Sequence, residues 1–326
     1  AAVANGGTFD LNGRTEGFNG LNGLGGTILN NAAGTTSELI VGQNNGAGTY
    51  AGLLADGAGR LAFSKAGTGA MVLSNAVNTY SGGTVISNGT LRILNGGSLG
   101  AVPAAPDAGN ITMYGGILMN QDSDAVIEAN RGIRILGTNA GFQAGWGKTL
   151  SINSAISGIG GVEIRGDSGR VFFNATNSYI GDTWISARNG ALVLGSADAI
   201  PDGPGRGNVI LRGTLDLNGF SETINGLTGS LSNRIINTSG ASTLTIGAND
   251  AEVREWSGLI LDQGGTLALR KTGAGTAILQ AVGTNTLSGG VTVDGGVLAL
   301  DSAPNSTVTV NAGGTAGLAN RFGATQ

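Results

Sequence analysis

The residues best suited to chemistry lie in one short stretch near the middle of the chain. It contains three carboxylates and two guanidinium groups, on Asp122, Asp124, Glu128, Arg131 and Arg134. Asp122 and Asp124 are two residues apart, so on a β-strand their side chains would share one face. Two such carboxylates can divide the roles of acid and base in glycoside cleavage. The other interpretation, which we favour, is a solvated charged loop that interrupts the repeats.

Histidine and cysteine are both missing from the sequence. Without histidine, the chain lacks the usual general base of serine and cysteine hydrolases and the usual zinc ligand. Without cysteine, it can form neither a disulfide nor a thiolate nucleophile. We therefore predict a protein that is not an enzyme, with no catalytic, cofactor-binding or metal-binding residues. A carboxylate-dependent polysaccharide-processing enzyme is kept as the weakest alternative.

Three short motifs suggest ligands, and each has a simpler explanation. Segment 158–163 resembles part of a calcium-binding nonapeptide, but no tandem array follows it, so we predict no calcium site. Residues 165–168 read Arg-Gly-Asp-Ser, like an integrin-recognition tetrapeptide, at a turn where glycine and aspartate are common. Segment 203–207 is rich in glycine, but no helix follows that could bind phosphate.

The composition indicates an ordered chain punctuated by turns. Glycine supplies 62 of the 326 residues, against about 7 % in an average protein, and without the three-residue period of collagen. Hydrophobic residues make up 40 %, too many for a disordered chain. The net charge of −4, without a basic block, argues against a nucleic-acid partner. No apolar run is long enough for membrane insertion of this segment.

Short apolar runs closed by glycine recur along the whole chain, as in segments 84–89, 191–195 and 291–296. They are rich in β-branched residues and often alternate with polar ones, which is typical of strands. A helix needs about ten residues without such breakers. The single predicted helical turn covers residues 125–131.

Internal repeats decide the predicted architecture. Segment 8–13 (TFDLNG) returns at 214–219 (TLDLNG), a shift of 206 residues, and Lys65 returns as Lys271 at the same shift. A third copy matches segment 78–82 at 177–181, a shift of 99. The copies cover approximately 61–118, 160–219 and 267–320. Since similar neighbouring repeats usually stack in one dimension, we predict an all-β, right-handed parallel β-helix (β-solenoid) built from degenerate repeats, as a single continuous solenoid over 1–326.

The repeats also predict the core, because inward residues of stacked coils should recur in register. The predicted inward residues are Phe63, Val72, Leu73, Ile86, Leu91 and Ile93, with the counterparts Leu269, Ile278, Leu279, Val293, Leu298 and Leu300. Asparagine and glycine are expected at the corners because they enter the left-handed backbone region most easily.

Four aromatic residues could line a carbohydrate-binding face, namely Tyr50, Trp146, Trp184 and Trp256. Tyr50 and Trp256 occupy equivalent positions in two copies. A structural slot is therefore the favoured role for this pair.

Segments 64–74 and 78–84 together resemble the passenger-associated transport repeat, also called the autotransporter-associated β-strand repeat. The shared pattern is a lysine, a Gly-x-Gly turn, a short apolar strand and then Asn-Thr-Tyr-x-Gly-Gly-Thr. Segment 271–290 is similar, with Leu287 at the tyrosine position, and segment 165–181 is a degraded match that lacks the lysine. The resemblance implies a right-handed β-helix that is secreted and displayed at the bacterial cell surface or outside it. The protein is also expected to act as a stalk, or as an adhesin that binds a host-surface or glycan ligand.

A second hypothesis is a self-assembling subunit of an extracellular filament or sheath. Segment 313–318 resembles segment 6–11, so the last repeat ends much as the first begins. Copies of the chain could therefore stack head-to-tail through open strand edges, making the chain its own partner.

Overall fold

The computed structural model describes residues 1–166, 168–250, 253–280, 284–300 and 306–318. Apart from two single 3₁₀ turns, Gln43–Asn45 and Gly96–Leu99, the regular structure in these ranges consists of short β-strands. Neighbouring strands pair in parallel and in register. None of the helical turns in the described ranges is long and apolar enough to cross a bilayer. The predicted all-β parallel β-helix is confirmed.

The chain forms two compact units, Ala1–Gly160 and Gly161–Gln326. The single continuous solenoid over 1–326 stays a prediction. The strands of the first unit are β1 (Thr8–Asp10), β2 (Glu16–Phe18), β3 (Thr27–Leu29), β4 (Thr36–Val41), β5 (Gly48–Tyr50), β6 (Leu53–Leu54), β7 (Arg60–Lys65), β8 (Ala70–Leu73), β9 (Thr84–Ile86), β10 (Thr90–Ile93), β11 (Asp107–Met113), β12 (Ile117–Asn120), β13 (Ala125–Ile127), β14 (Arg131–Ile135), β15 (Asn139–Ala144), β16 (Thr149–Ile152) and β17 (Ile156–Gly158).

Strands of the first unit stack into parallel ladders on the faces of the coil. One ladder runs β2-β4-β7-β9-β11-β14-β17, a second runs β5-β8-β10-β12-β15, and shorter ones are β1-β3-β6 and β13-β16. Each coil, meaning one circuit of the chain through its strands, therefore hydrogen-bonds to the coils before and after it.

The second unit repeats this design. Its strands are β18 (Gly161–Arg165), β19 (Arg170–Phe173), β20 (Thr183–Ile185), β21 (Ala191–Leu194), β22 (Val209–Leu211), β23 (Thr214–Asp216), β24 (Glu222–Ile224), β25 (Leu227–Gly229), β26 (Arg234–Asn237), β27 (Ala241–Ile246), β28 (Val253–Trp256), β29 (Leu259–Asp262), β30 (Thr266–Lys271), β31 (Thr276–Leu279), β32 (Val291–Val293), β33 (Gly296–Leu300), β34 (Val308–Val310) and β35 (Gly314–Leu318). The ladders are β18-β20-β22-β25-β28-β31-β33-β35, β19-β21-β23-β26-β29 and β24-β27-β30-β32-β34.

The core of each unit is the interior of its coils. Ten of the twelve predicted inward residues are buried, but Val72 and Ile278 are wrong, because both are partly exposed on the outer face. Side chains alternate along a strand, so a strand that buries Leu73 must turn Val72 outward and bury Met71 instead. At Ile278, the residue buried in its place is Ala277.

The helical turn predicted at 125–131 is also wrong. Residues Ala125–Ile127 form strand β13 and Arg131–Ile135 form β14. Ala125 and Ile127 are buried while Val126 between them is exposed, a period of two that belongs to a strand. The charged residues around this segment disguise that period in the sequence.

Tyr50 and Trp256 do occupy one structural slot, because both side chains are fully buried at the same point of two copies. A glycine two residues later makes room for each ring. A Cβ added at Gly52 would lie 2.4 Å from the tyrosine hydroxyl, and one at Gly258 would lie 2.8 Å from the indole ring. Gly52 and Gly258 are 206 residues apart, as are Tyr50 and Trp256, so both copies keep the buried ring together with its glycine.

The slot yields the first prediction. We expect Gly52→Ala to lower the free energy of unfolding by about 1–3 kcal/mol, because the added methyl group overlaps a ring that cannot move outward. Gly109→Ala is the matched control, since a Cβ there meets nothing closer than 3.8 Å, and it should change stability by no more than about 0.5 kcal/mol. Urea denaturation of both variants is the measurement. Equal stability of the Gly52→Ala and Gly109→Ala variants would show that the buried ring leaves room for a methyl group at Gly52.

Candidate functional site

Lys65 is the most unusual residue of the first repeat, because its side chain is fully buried at the end of β7. Its ammonium group donates hydrogen bonds to the carbonyl oxygens of Ala66, Gly67 (2.8 Å) and Asn88 (3.2 Å). The first two belong to the turn after β7, and the third belongs to the turn of the following coil. The lysine therefore joins the corners of two coils from inside.

Lys271 repeats this arrangement in the second unit. It is equally buried, and its ammonium group donates to the carbonyls of Thr272, Gly273 (2.9 Å) and Gly295 (3.3 Å). Burial lowers the pKa of Lys65 to about 8 and also lowers the pKa of Lys271. Three carbonyl acceptors compensate each buried donor, which explains why a lysine is tolerated inside the coil.

The asparagine of the repeat links coils in the same way. The Asn78 side chain accepts a hydrogen bond from the amide of Leu54 (2.9 Å) and donates one to the carbonyl of Ser98 (2.8 Å), so it bridges to the coils on both sides. Its counterparts Asn177 and Asn285 are also buried and bond to the backbone. These residues satisfy backbone groups at points where the parallel ladders are interrupted.

The tyrosine of the repeat is paired with a threonine four residues later. Tyr80 and Thr84 are buried and their hydroxyl groups are 2.7 Å apart; Tyr179 and Thr183 are 2.6 Å apart. In the third copy both members change together, to Leu287 and Val291. A hydrogen-bonded pair is thus replaced by an apolar pair. The signal was present in the sequence, as the loss of both hydroxyl groups in one copy, but our sequence analysis missed it.

The acidic cluster predicted as a possible catalytic site is divided in the structure. Arg131 is fully buried, and its guanidinium donates to Glu128 (2.6 Å) and to the carbonyls of Leu99 (3.0 Å) and Gly100 (2.6 Å). This arginine supports the backbone of the 3₁₀ turn Gly96–Leu99 and the residues after it, whereas Arg134 is exposed on the outer face of β14.

The two aspartates of that cluster lie in the loop before β13 rather than on a strand, so they share no strand face. Asp124 accepts a hydrogen bond from the amide of Thr149 (2.8 Å) in the next coil, and Asp122 is exposed. The favoured interpretation, a charged loop, agrees with the positions of both aspartates.

Glu222 is the most deeply buried carboxylate with a shifted pKa, and the sequence analysis did not single it out. Its two oxygens accept hydrogen bonds from the amides of Ile200 (2.8 Å) and Ala199 (3.2 Å). Burial, with a smaller contribution from the carboxylates of Asp198 and Asp202, outweighs the two amide hydrogen bonds and raises the pKa of Glu222 to about 8. Within the described ranges, no cluster of three metal-ligating side chains has the geometry to hold an ion. Because its two oxygens accept these amide hydrogen bonds, the Glu222 carboxylate anchors the loop before β22.

Of the four aromatic candidates for a carbohydrate-binding face, two lie inside the coils and not at the surface. Tyr50 and Trp256 are buried, Trp146 is 83 % exposed in the first unit, and Trp184 in the second unit lies beneath the guanidinium of Arg212, 5.4 Å from the ring centre.

The integrin-like motif begins at the end of β18, and the glycine-rich segment forms a turn. In the integrin-like motif, Arg165 pairs with Glu163 (2.8 Å), and Asp167 lies outside the described residues. Segment 203–207 is a turn followed by strand β22, so it lacks the helix that a phosphate loop requires.

Comparison with known proteins identifies the repeats. The family model of the passenger-associated transport repeat matches residues 63–93 and 269–300, which contain the two buried lysines. The chain contains passenger-associated transport repeats. The predicted resemblance to autotransporter passengers is confirmed, and with it a location at the cell surface or outside the cell.

A curated relative supports this assignment. The Adhesin BmaC autotransporter of Brucella suis biovar 1 (strain 1330) is 29 % identical over 306 residues. The match covers 83 % of this chain but 8 % of the relative, so the chain corresponds to a small part of that protein's length. No solved structure matches.

Lys65 generates the second prediction. Lys65→Met keeps much of the side-chain volume but leaves three carbonyl groups without their donor, so we expect a loss of about 1–3 kcal/mol in the free energy of unfolding. Lys148→Met is the matched control, because Lys148, the one other lysine of the sequence besides Lys65 and Lys271, is partly exposed and should contribute about 0.5 kcal/mol or less. Amide hydrogen exchange across β7 and β9 would localise the effect. Equal losses in both variants would contradict the role of Lys65.

The tyrosine-threonine pair generates the third prediction. Tyr80→Phe and Thr84→Val should each destabilise the protein, by about 0.5–1.5 kcal/mol for the lost hydrogen bond and more where a buried hydroxyl is left unpaired. The double variant should lose less than the sum, since the third copy tolerates an apolar pair. A double-mutant cycle from urea denaturation measures the coupling. Strictly additive losses would show that the two hydroxyl groups do not interact.

Proposed function

We propose that this chain is a non-enzymatic segment of a surface-displayed passenger that acts as a stalk and presents an adhesive surface. The observation that carries this proposal is the use of the buried polar residues. Lys65, Asn78 and Arg131, which are the kind of buried groups that catalysis could employ, donate to backbone carbonyls of their own or neighbouring coils. Their role is to hold the stack together.

The proposal of a non-enzymatic role also rests on the carboxylates. Glu222, the carboxylate whose raised pKa would suit a general acid, has both oxygens engaged by backbone amides. Asp122 and Asp124 do not share the strand face that a paired acid and base would need. Neither arrangement offers a proton donor and a nucleophile that converge on one substrate position.

The adhesive role is supported by the relative, whose name describes an adhesin. In a parallel solenoid the inward positions are occupied by packing, so the outward positions and corners are free to vary. An adhesive function on this scaffold requires a surface, not a pocket. Head-to-tail assembly stays a prediction, which sizing of dilute protein would test.

The fourth prediction tests adhesion directly. A non-adherent bacterium that displays this chain should be retained on cultured mammalian cells or immobilised matrix glycans well above the same bacterium without it. The matched control displays the Lys65→Met/Lys271→Met variant, in which stacking is weakened at both repeats and retention should fall. Retention equal to that of the empty bacterium on every surface would reject the adhesive role.

A further inference from the structure

One corner of the second unit carries an arginine from each of four successive coils. Arg170 begins β19, Arg188 lies in the turn between β20 and β21, Arg212 follows β22, and Arg234 begins β26. We call these four residues the arginine corner. Each lies where the chain passes from the β18-β20-β22-β25 ladder to the β19-β21-β23-β26 ladder.

The strand register aligns the first of these arginines with the last. Arg170 pairs with Ala191, Ala191 with Thr214, and Thr214 with Arg234. Three ladder steps of roughly 4.8 Å separate the two ends, or about 14 Å. Arg212 is held beside this ladder, because its amide donates to the carbonyl of Ile185 in the coil before. The corner therefore carries one arginine in each of four successive coils along the stacking direction, with Arg170 and Arg234 in register.

Two of the four guanidinium groups are free to meet a ligand. Arg170 pairs with the buried Asp216 (3.1 Å), and Arg212 covers the ring of Trp184. Arg188 and Arg234 are exposed and have no carboxylate partner among the described residues.

Arg188 and Arg234 share a surface depression of about 660 Å³ with Asn189, Thr214 and Ser232. All five lining residues are basic or neutral and polar. The depression thus offers cations beside hydroxyl and amide groups.

A fifth arginine at the same corner is not free. Arg165 ends β18 and pairs with Glu163 on the same strand. Among the described residues of the corner, the excess of positive charge comes from Arg188, Arg212 and Arg234, in a chain whose overall charge is −4. Such a local reversal of sign attracts an anionic partner to this corner rather than to the rest of the surface.

We propose that the arginine corner binds a linear sulfated polysaccharide. Guanidinium groups pair with sulfate and carboxylate oxygens in a bidentate geometry, and two exposed arginines on different coils of one depression suit a polymer that carries more than one anionic group. The hydroxyl groups of Thr214 and Ser232 and the amide of Asn189 can bind sugar hydroxyls between them. The inference rests on the proposed function and deepens it by naming the class of ligand.

A nucleic acid fits the same corner less well. Single-stranded nucleic acids are bound by several exposed aromatic rings on which bases stack. Two described rings at this corner are half-buried and already covered by arginines: Phe172 by Arg170 and Trp184 by Arg212. Sulfated glycans need cations and hydrogen-bonding groups instead, and those are what line the depression.

The experiment is a titration of the whole chain with heparin, as a probe for sulfated glycans, over a range of salt concentrations. Arg188→Gln/Arg234→Gln should weaken heparin binding by at least about tenfold and reduce the slope of log K against log salt by about two. Arg14→Gln/Arg134→Gln is the matched control, with the same change of charge at two exposed arginines of the first unit, and should bind within about twofold of the parent.

Three results would overturn the inference. They are no heparin binding at low salt, equal losses in both double variants, and binding of desulfated heparin or single-stranded DNA as tight as that of heparin. Urea denaturation of each variant confirms that folding is unchanged. The adhesion assay separates the two proposals. Adhesion that persists in the Arg188→Gln/Arg234→Gln variant would reject the arginine corner alone, whereas heparin binding without any adhesion would reject the adhesive role alone.

Discussion

Everything in this structure depends on the direction of its backbone hydrogen bonds, which run between coils rather than within one. A parallel ladder satisfies the strands, but at each corner the chain turns and the ladder stops. Carbonyl and amide groups at the corners would then be buried without partners, at a cost of about 1–3 kcal/mol each. The buried ammonium groups of Lys65 and Lys271, each accepted by carbonyls of two successive turns, solve this problem from inside the coil.

The same constraint explains the choice of the other repeated residues. Asn78 carries a donor and an acceptor on one short side chain, so a single residue can bridge the coils on both sides of it. Gly52 and Gly258 leave space beside a buried ring where a methyl group would clash. Asn12 and Asn218 occupy the left-handed region at equivalent corners, as predicted for asparagine at a turn. In the sequence such a repeat is a motif, but each of its residues meets a different packing or hydrogen-bonding requirement inside the coil.

The fold could be predicted from the sequence because its signals are local and repeated. Short β-branched runs, glycine turns and the 206-residue shift all led to a parallel solenoid, and residues such as Phe63 and Leu269 are buried as expected. Errors arose where the alternation of inward and outward side chains along a strand was not used to decide which residues face inward. Val72 was assigned inward although its neighbour Leu73 must then turn outward, and charged residues concealed the two-residue period of β13.

The candidate site was harder to predict, because the arginine corner takes residues from four coils that are about 20 residues apart in sequence. Its composition nevertheless separates function from fold. Lys65 and Lys271 are repeated because they close the same corner in two of the copies. The arginines are not repeated between copies. Gly6 lies 206 residues before Arg212, and Thr27 lies 207 residues before Arg234, so the corresponding residues of the first copy are glycine and threonine. A stack that forms equally well with glycine and threonine at those positions does not need arginine there for stability. Side chains that differ between copies on an otherwise copied scaffold are the ones left to meet a partner.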